Sequence, residues 1–305
     1  MKNAHVVSEN ITRRPSQTPL RPASHPPCPH AAPSPPRRAQ NRYCLVVEDQ
    51  FRLDLHTGHF FLNAPGYDLN VPILTIRHGE TDGNVRNSFQ GQIDNPENHL
   101  NALGHEQARR TARTVYTELA DLLGPQIHHP TIPEKLIVLH SPLTRTKQTA
   151  DAFLTYFQAQ TQISLPPIIE TRLAEICFGA LEGFALDEVP DQQLRALAMR
   201  YRTHEDALIN WNHTGESFLD VVARAKALLQ ELNDRYSGQQ ALILAFSHGT
   251  LINALRTVVA DPRLLDSNKR VAFRKHGLKN AEAYWLGPSR QLARQIFQSA
   301  LPQTP

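Results

Sequence analysis

Polarity along this chain changes its period several times. "ILTI" (73–76), "LIVL" (136–139) and "ALILAF" (241–246) are short, almost wholly apolar runs rich in branched side chains. Runs of that length suit strands buried on both faces. Each is followed by residues with helical spacing. Between Gly104 and Leu123, Ala108, Ala112, Val115, Leu119 and Leu122 recur at threes and fours and form one apolar face. Asn101 is placed to cap that helix, and Gly124-Pro125 to end it. After the second run, Ser141-Pro142 reads as a cap followed by a first-turn proline. Leu143, Ala150, Phe153, Leu154 and Phe157 then form a buried stripe. Ser217 opens a third helix to about Tyr236, with Phe218, Val221, Val222, Ala225, Leu228, Leu229 and Leu232 inward. A fourth, about 249–259, stops at Asp261-Pro262. "AEAYWL" (281–286) reads as a last strand. Strands alternating with helices predict an α/β fold with a mostly parallel central sheet covered by helices on both faces. Further upstream, Thr57-Gly58 between alternating apolar residues predicts a hairpin within 43–66.

Composition divides the 305 residues unevenly. Residues 1–42 hold nine of the 23 prolines and seven Lys/Arg against one Glu. Such a segment buries too little apolar area to offset its ordering entropy, and we read it as a disordered tail. Its arginines and scarcity of acids also fit a targeting peptide, but prolines this dense spoil an amphipathic helix. The tail carries +6 of a net +3, which leaves −3 for the rest and argues against a nucleic-acid partner. No apolar run approaches the length of about 18 residues that would suggest a membrane partner. Three scattered cysteines, Cys28, Cys44 and Cys177, show no disulfide framework and point to a reducing, cytoplasmic setting. The division expected is a tail (1–42), a hairpin or linker (43–70), one domain (71–290) and a C-terminal extension (291–305).

Each strong strand ends in reactive polar residues. The first delivers Arg77-His78, the second His140-Ser141 with Arg145 a turn later, the third Ser247-His248-Gly249. Ligands of open α/β sheets sit at the carboxyl ends of strands, so these segments are expected to share one pocket. Two arginines, two histidines and a helix N-terminus suit a phosphate. Taken singly, each has an ordinary reading: a satisfied histidine at a strand end, or a solvated arginine. Arg145 in a helix's first turn opposes the helix dipole, however, and a bound anion would relieve that. No metal-ligand spacing is evident; His128-His129 falls beside Pro130 in a loop.

The motifs run in a fixed order. "RHGET" is followed by Asn84, "FQGQID" (89–94), "LNALGHEQA" (100–108), "SPLTRTKQTA" (141–150), "LAEICFGALEG" (173–183), "GES" (215–217) and "SHGTLINAL" (247–255). In that order the chain resembles the histidine phosphatase superfamily, also called the phosphoglycerate mutase-like family, over about 71–286. The resemblance implies a three-layer sandwich. It implies His78 as nucleophile, Glu175 as general acid, and His248 with Arg77 and Arg145 around the phosphoryl oxygens. Asn84, Gln90 and the Gly249 N–H match positions that line the phosphate pocket. Phosphoryl transfer is mostly positioning and charge stabilisation, so the resemblance implies no cofactor or metal. Glu182, Glu188 and Glu216 compete with Glu175 for the acid role on sequence alone.

The resemblance covers phosphatases and mutases. Glycolytic mutases carry "ERHYG" after the acid and later a paired arginine. Here the stretch reads "EICFG", with Phe178 in place of the tyrosine, and no arginine pair occurs between 180 and 215. That favours hydrolysis of a small phosphorylated substrate through a phosphohistidine. The alternatives are mutase-type transfer and a phospho-ligand-binding protein without turnover. Gly83 stands where Trp is common and Ser88 where Arg is common. Residues 180–215 are expected to form a helical lid. There Arg195, Arg200, Arg202 and Trp211 either contact a second acidic group or a base ring, or form an ordinary solvated face. His105, His140 and His276 are assigned to structure or solvent, and Cys177 to a buried, inert position.

Overall fold

The structure, a computed structural model, describes residues 44–47 and 50–298. The tail expected over 1–42 lies outside them, as does Cys28. Strands β1 (Cys44–Val47), β2 (Phe51–Asp54) and β3 (Phe60–Leu62) come first, then β4 (Ile73–Arg77). The short helix α1 (Asp82–Val85) and the long α2 (Ala102–Leu123) precede α3 (Ile132–Lys135) and β5 (Leu136–His140). Next come α4 (Thr144–Thr161), β6 (Pro167–Ile169), α5 (Gln192–His204), α6 (Phe218–Tyr236) and β7 (Leu242–Ser247). The last elements are α7 (Gly249–Val258), β8 (Ala283–Trp285) and α8 (Ser289–Gln298).

The main sheet has the order β6-β5-β7-β4-β8. Its first four strands are parallel and β8 runs antiparallel on the edge. Successive side chains of a strand point to opposite faces, so each central strand feeds two cores. Leu74, Ile76, Val138, Leu244 and Phe246 pack with α2, α4 and α8 on one face. Ile73, Leu139, Ile243 and Ala245 pack with α6 and α7 on the other. The α/β sandwich of three layers expected from the alternating pattern is therefore present. The apolar faces of α2 and α6 are buried as their spacing demands. Asn101 caps α2 at Gly104 N (2.8 Å), and the helix stops at Gly124, whose φ of 55° suits glycine.

β2 and β3 form the hairpin expected around Thr57-Gly58, and β1 adds a third antiparallel strand. This small sheet packs onto the second core, where Phe60 meets Phe51, Phe218 and Phe273 at ring distances of 5.5–6.3 Å. At the other end of the chain, α8 buries Ala293 and Phe297 under the main sheet. One helix start differs from expectation. Ser141 does not cap α4, which begins at Thr144 without a side-chain cap. Its hydroxyl instead lies 2.8 Å from His248 Nε2.

Candidate active site

Register explains why distant motifs meet. Arg77 pairs with Ser247 and His140 with Phe246, so β4, β7 and β5 end level with one another. The residues following each strand therefore emerge along one edge of the sheet. The turn after β4 lies hard against the first turn of α2. A Cβ on Gly79 would stand 2.4 Å from the Gly104 carbonyl oxygen, and one on Gly104 would stand 2.0 Å from that of Glu80. Only two glycines allow that approach. Thr81 then caps α1 in a reciprocal box with Asn84. Asn84 Oδ1 also accepts from Asn280 Nδ2 at 2.8 Å, so the amide oxygen is engaged within the protein. Gly83 packs against Asn98 and Gln90, where a Cβ would come within 2.4 and 2.9 Å, so the position has no room for a larger side chain.

Two buried imidazoles hold opposite tautomers. His78 is 3% exposed, and its Nδ1 lies 2.7 Å from the Gly79 carbonyl. A neutral ring donates there, which leaves the Nε2 lone pair free. In His248, Nδ1 accepts from Arg145 Nε at 3.2 Å, so Nε2 carries the proton and donates to Ser141 Oγ. The two rings are 5.2 Å apart. Burial, reinforced by Arg145 and Arg77, holds His78 well below the ordinary histidine value. His248 is depressed for the same first reason, with Arg145 and His78 adding to it. Both rings are therefore neutral at neutral pH.

The arginines are held at their far ends. Arg145 donates Nη2 to the Gly91 carbonyl (2.7 Å) and Nη1 to that of Ile93 (3.3 Å). Burial pushes its guanidinium down to about 10, against the pull of Glu175, Asp94 and Glu182. Arg77 donates Nη1 to the Leu278 carbonyl at 2.5 Å, and burial lowers its value too. Its buried Nε has no partner among the described residues. A buried unpaired donor costs about 1–3 kcal/mol, so that N–H calls for an acceptor from outside the protein.

Glu175 sits on a braced loop. Its Oε1 accepts its neighbour's N–H (Ile176, 2.9 Å) and its Oε2 that of Thr250 at the start of α7 (3.3 Å). Beneath the loop, Arg224 of α6 brackets the Glu216 carboxylate with two contacts of 2.9 Å. The same guanidinium donates to the carbonyls of Arg172 (2.7 Å) and Ala174 (2.9 Å). Glu216 in turn accepts the Cys177 N–H. Glu182, a competing candidate, is committed elsewhere: one oxygen accepts from Gln92 N and Phe178 N. Burial raises its carboxyl to about 7. Glu188 pairs with Arg86 at 3.1 Å.

One cleft of about 210 Å³ is lined by Arg77, His78, Asn84, Gln90, Arg145, Glu175 and Gly249. His248, fully buried, stands behind them and reaches the cleft through Arg145. Among the lid candidates only Arg202 lines it. Arg195 binds the Val189 carbonyl and Arg200 pairs with Asp206. Trp211 is a core residue among Phe89, Phe178 and Tyr201, with its N–H on the Glu216 carbonyl. Cys177 is buried, as expected. The lining residues with no signal in the motifs are Asn87, Tyr201, Phe273, Arg274 and Gly277, while Thr250 and Asn253 lie within the last motif without a role assigned to them. Tyr201 recurs on the buried face of α5 beside Leu194 and Ala198, a helical spacing that marks it as inward but not as cleft-facing. Among the described residues no group of three or more His, Cys, Asp or Glu is placed to hold a metal ion, and no helix is long and apolar enough to cross a membrane.

Known proteins resemble this chain over the same span. Residues 73–287 match the family described as histidine phosphatase superfamily (branch 1). The chain is 30% identical over 215 residues to a Bacillus subtilis protein named as an uncharacterized phosphatase, PhoE, covering 70% of this chain and 90% of that one. It is 29% identical over 189 residues to a probable phosphoglycerate mutase, GpmB, of an Enterobacter species, covering 62% and 74%. A solved structure titled mycobacterial hydrolase 1 superposes with a TM-score of 0.50 at 26% identity, covering 70% of this chain and 87% of that one. The chain belongs to the histidine phosphatase superfamily, as an enzyme of phosphatase type.

Proposed function

We propose that this cleft hydrolyses phosphomonoesters through a covalent phosphohistidine on His78. The observation that carries the reading is the pairing of a free His78 Nε2 with the unpartnered Arg77 Nε: a nucleophile beside a donor that lacks its acceptor. The Nε2 lone pair attacks phosphorus as the ester P–O bond breaks. Glu175, entering as the carboxylic acid, gives its proton to the leaving oxygen. Water then attacks phosphorus, its proton passes to the Glu175 carboxylate, the P–N bond breaks and inorganic phosphate leaves. Arg77, Arg145, Asn84, Gln90 and the Gly249 N–H hold the phosphoryl oxygens. Each fixed donor in such a site is worth about 10²–10³ in rate. An entering dianion draws the Arg145 donor toward itself. It also favours protonation of His248, which turns a resting acceptor into a further donor.

Mutase-type transfer is the second reading, favoured by the likeness to GpmB. Phe178 in place of a tyrosine and the missing arginine pair weigh against it. Steady release of phosphate from p-nitrophenyl phosphate in EDTA, with inhibition by vanadate, is the expected behaviour. A mutase would interconvert monophosphates with little net phosphate released. A binding protein would show no turnover.

A further inference from the structure

Phosphoryl chemistry leaves the outer part of the cleft unexplained. Its walls are Tyr201 and Arg202 of α5 together with Phe273, Arg274 and Gly277 of the loop before β8. Burial is the first cause, and the charge of Arg274 the second, that pushes the Arg202 guanidinium below its ordinary value. Two like charges have thus been brought together at one mouth. Glu205 reaches Arg274 only at its backbone N–H (2.7 Å) and turns its other oxygen to Arg270 (3.6 Å). Arg202 lies over the Phe89 ring at 4.2 Å and donates Nη2 to the Asn87 carbonyl at 2.9 Å. Its Nε is buried with no partner among the described residues. The hydroxyl of Tyr201, a fully buried residue, also has no hydrogen-bond partner there, with Thr250 and Arg274 as its polar neighbours. Arg274 in turn lies 5.0 Å from the Tyr201 ring. One anion seated among them would offer an acceptor to the unpaired N–H and O–H and offset the two positive charges.

We propose that Arg202, Arg274 and the Tyr201 hydroxyl bind a second anionic group of the substrate, so that preferred substrates are phosphomonoesters bearing a carboxylate or second phosphate. This rests on the phosphatase reading for the identity of the first group. The same cleft is also lined by the apolar rings of Phe89, Phe178 and Phe273.

Non-hydrolysable phosphonates test this by calorimetric titration. Alkylphosphonates of three to six carbons are compared with ω-carboxyalkylphosphonates and α,ω-bisphosphonates of matched length. At least one dianionic-ended compound should bind about tenfold or more tighter than its alkyl match, the effect of one charge-assisted hydrogen bond. Which of the two series gains identifies the second anion. R202Q and R274Q should each bring that ratio to within about twofold, and Y201F should lower it by about threefold. A ratio near one at every length in the unaltered protein, or a ratio kept in all three variants, overturns the proposal. The ratio is taken within each protein, so a misfolded variant shows itself by binding neither series, and Y201F then carries the decision. Hydrolysis of p-nitrophenyl phosphate is measured alongside. Turnover without a binding preference removes only the second-anion site, whereas preference without turnover removes only the hydrolytic reading.

Discussion

The loop that carries Glu175 depends on a residue far from any phosphate. Arg224 is 7% exposed and Glu216 1%, so the ion pair between them is desolvated. Replacing Arg224 by Met keeps much of the stem and removes every donor. Removing one partner of a buried pair costs about 3–5 kcal/mol, because the other charge is left stranded. The carbonyls of Arg172 and Ala174 lose their donors as well. Each lost contact adds up to about 1–3 kcal/mol where water cannot replace it. These losses share one network and do not sum, so a fall of about 3–5 kcal/mol in urea unfolding is expected. Changing Glu216 to Gln in the same chain removes the stranded charge but not the orphaned carbonyls. That double variant should recover part of the loss and remain about 1–3 kcal/mol below the parent. Activity should report the same brace. Loosening residues 172–177 displaces Glu175, the proposed general acid, whose proton an alkoxide would need and p-nitrophenolate would not. General acid catalysis is worth about 10²–10⁴, so Arg224→Met should lower kcat/KM for an alkyl phosphate at least about tenfold more than for p-nitrophenyl phosphate. Stability within about 1 kcal/mol of the parent would mean that the buried pair does not brace the fold. Equal losses on both substrates would mean that Arg224 does not position Glu175.

Arg145→Gln should lower kcat on p-nitrophenyl phosphate by about 10²–10³, with a folded protein by circular dichroism. Protons also couple to stability. His78 and His248 are depressed when folded, so their contribution is full above about 6.5 and is lost as pH falls through their lowered folded values. Glu182 acts with the opposite sign: raised to about 7, it contributes fully below its ordinary value of 4.5 and loses that contribution as pH rises through 7. Urea midpoints of Glu182→Gln should therefore improve relative to the parent between pH 5 and 8. A difference independent of pH would show that the carboxyl is not held protonated. Phe60→Ala, which opens a hole between the small sheet and the main core, should cost about 3–5 kcal/mol in urea unfolding. A loss below about 1 kcal/mol would mean that β1–β3 are not part of one cooperative unit.

How much of this could be read from residues alone varied with the physics. β4, β5 and β7 were legible because strands buried on both faces have little choice but continuous apolar runs. α2 and α6 were legible because each has one wet face. β6 left no trace: Pro167–Ile169 is three residues long, exposed, and on the sheet edge. Ser141 misled because serine before proline at a helix start looks the same whether its hydroxyl serves the helix or a distant imidazole. The inner cleft was legible because its residues sit in consecutive motifs at strand ends. The outer cleft was not. Tyr201 lies on α5 and Arg274 on a loop more than seventy residues later, and only folding brings them to one cleft. Arg202 stood among four lid candidates, and nothing in spacing distinguished it from Arg195 and Arg200, which bind a carbonyl and a carboxylate.

In the proposed mechanism His78 Nε2 carries the phosphoryl group during turnover. Rapid quenching of the enzyme with ³²P-labelled p-nitrophenyl phosphate tests it most directly, followed by mapping of the labelled peptide. Protein-bound label should survive alkali and be lost in acid, be located on His78 and be absent from His78→Ala. Turnover that leaves no protein-bound label at any quench time, or label found on another residue, would contradict it.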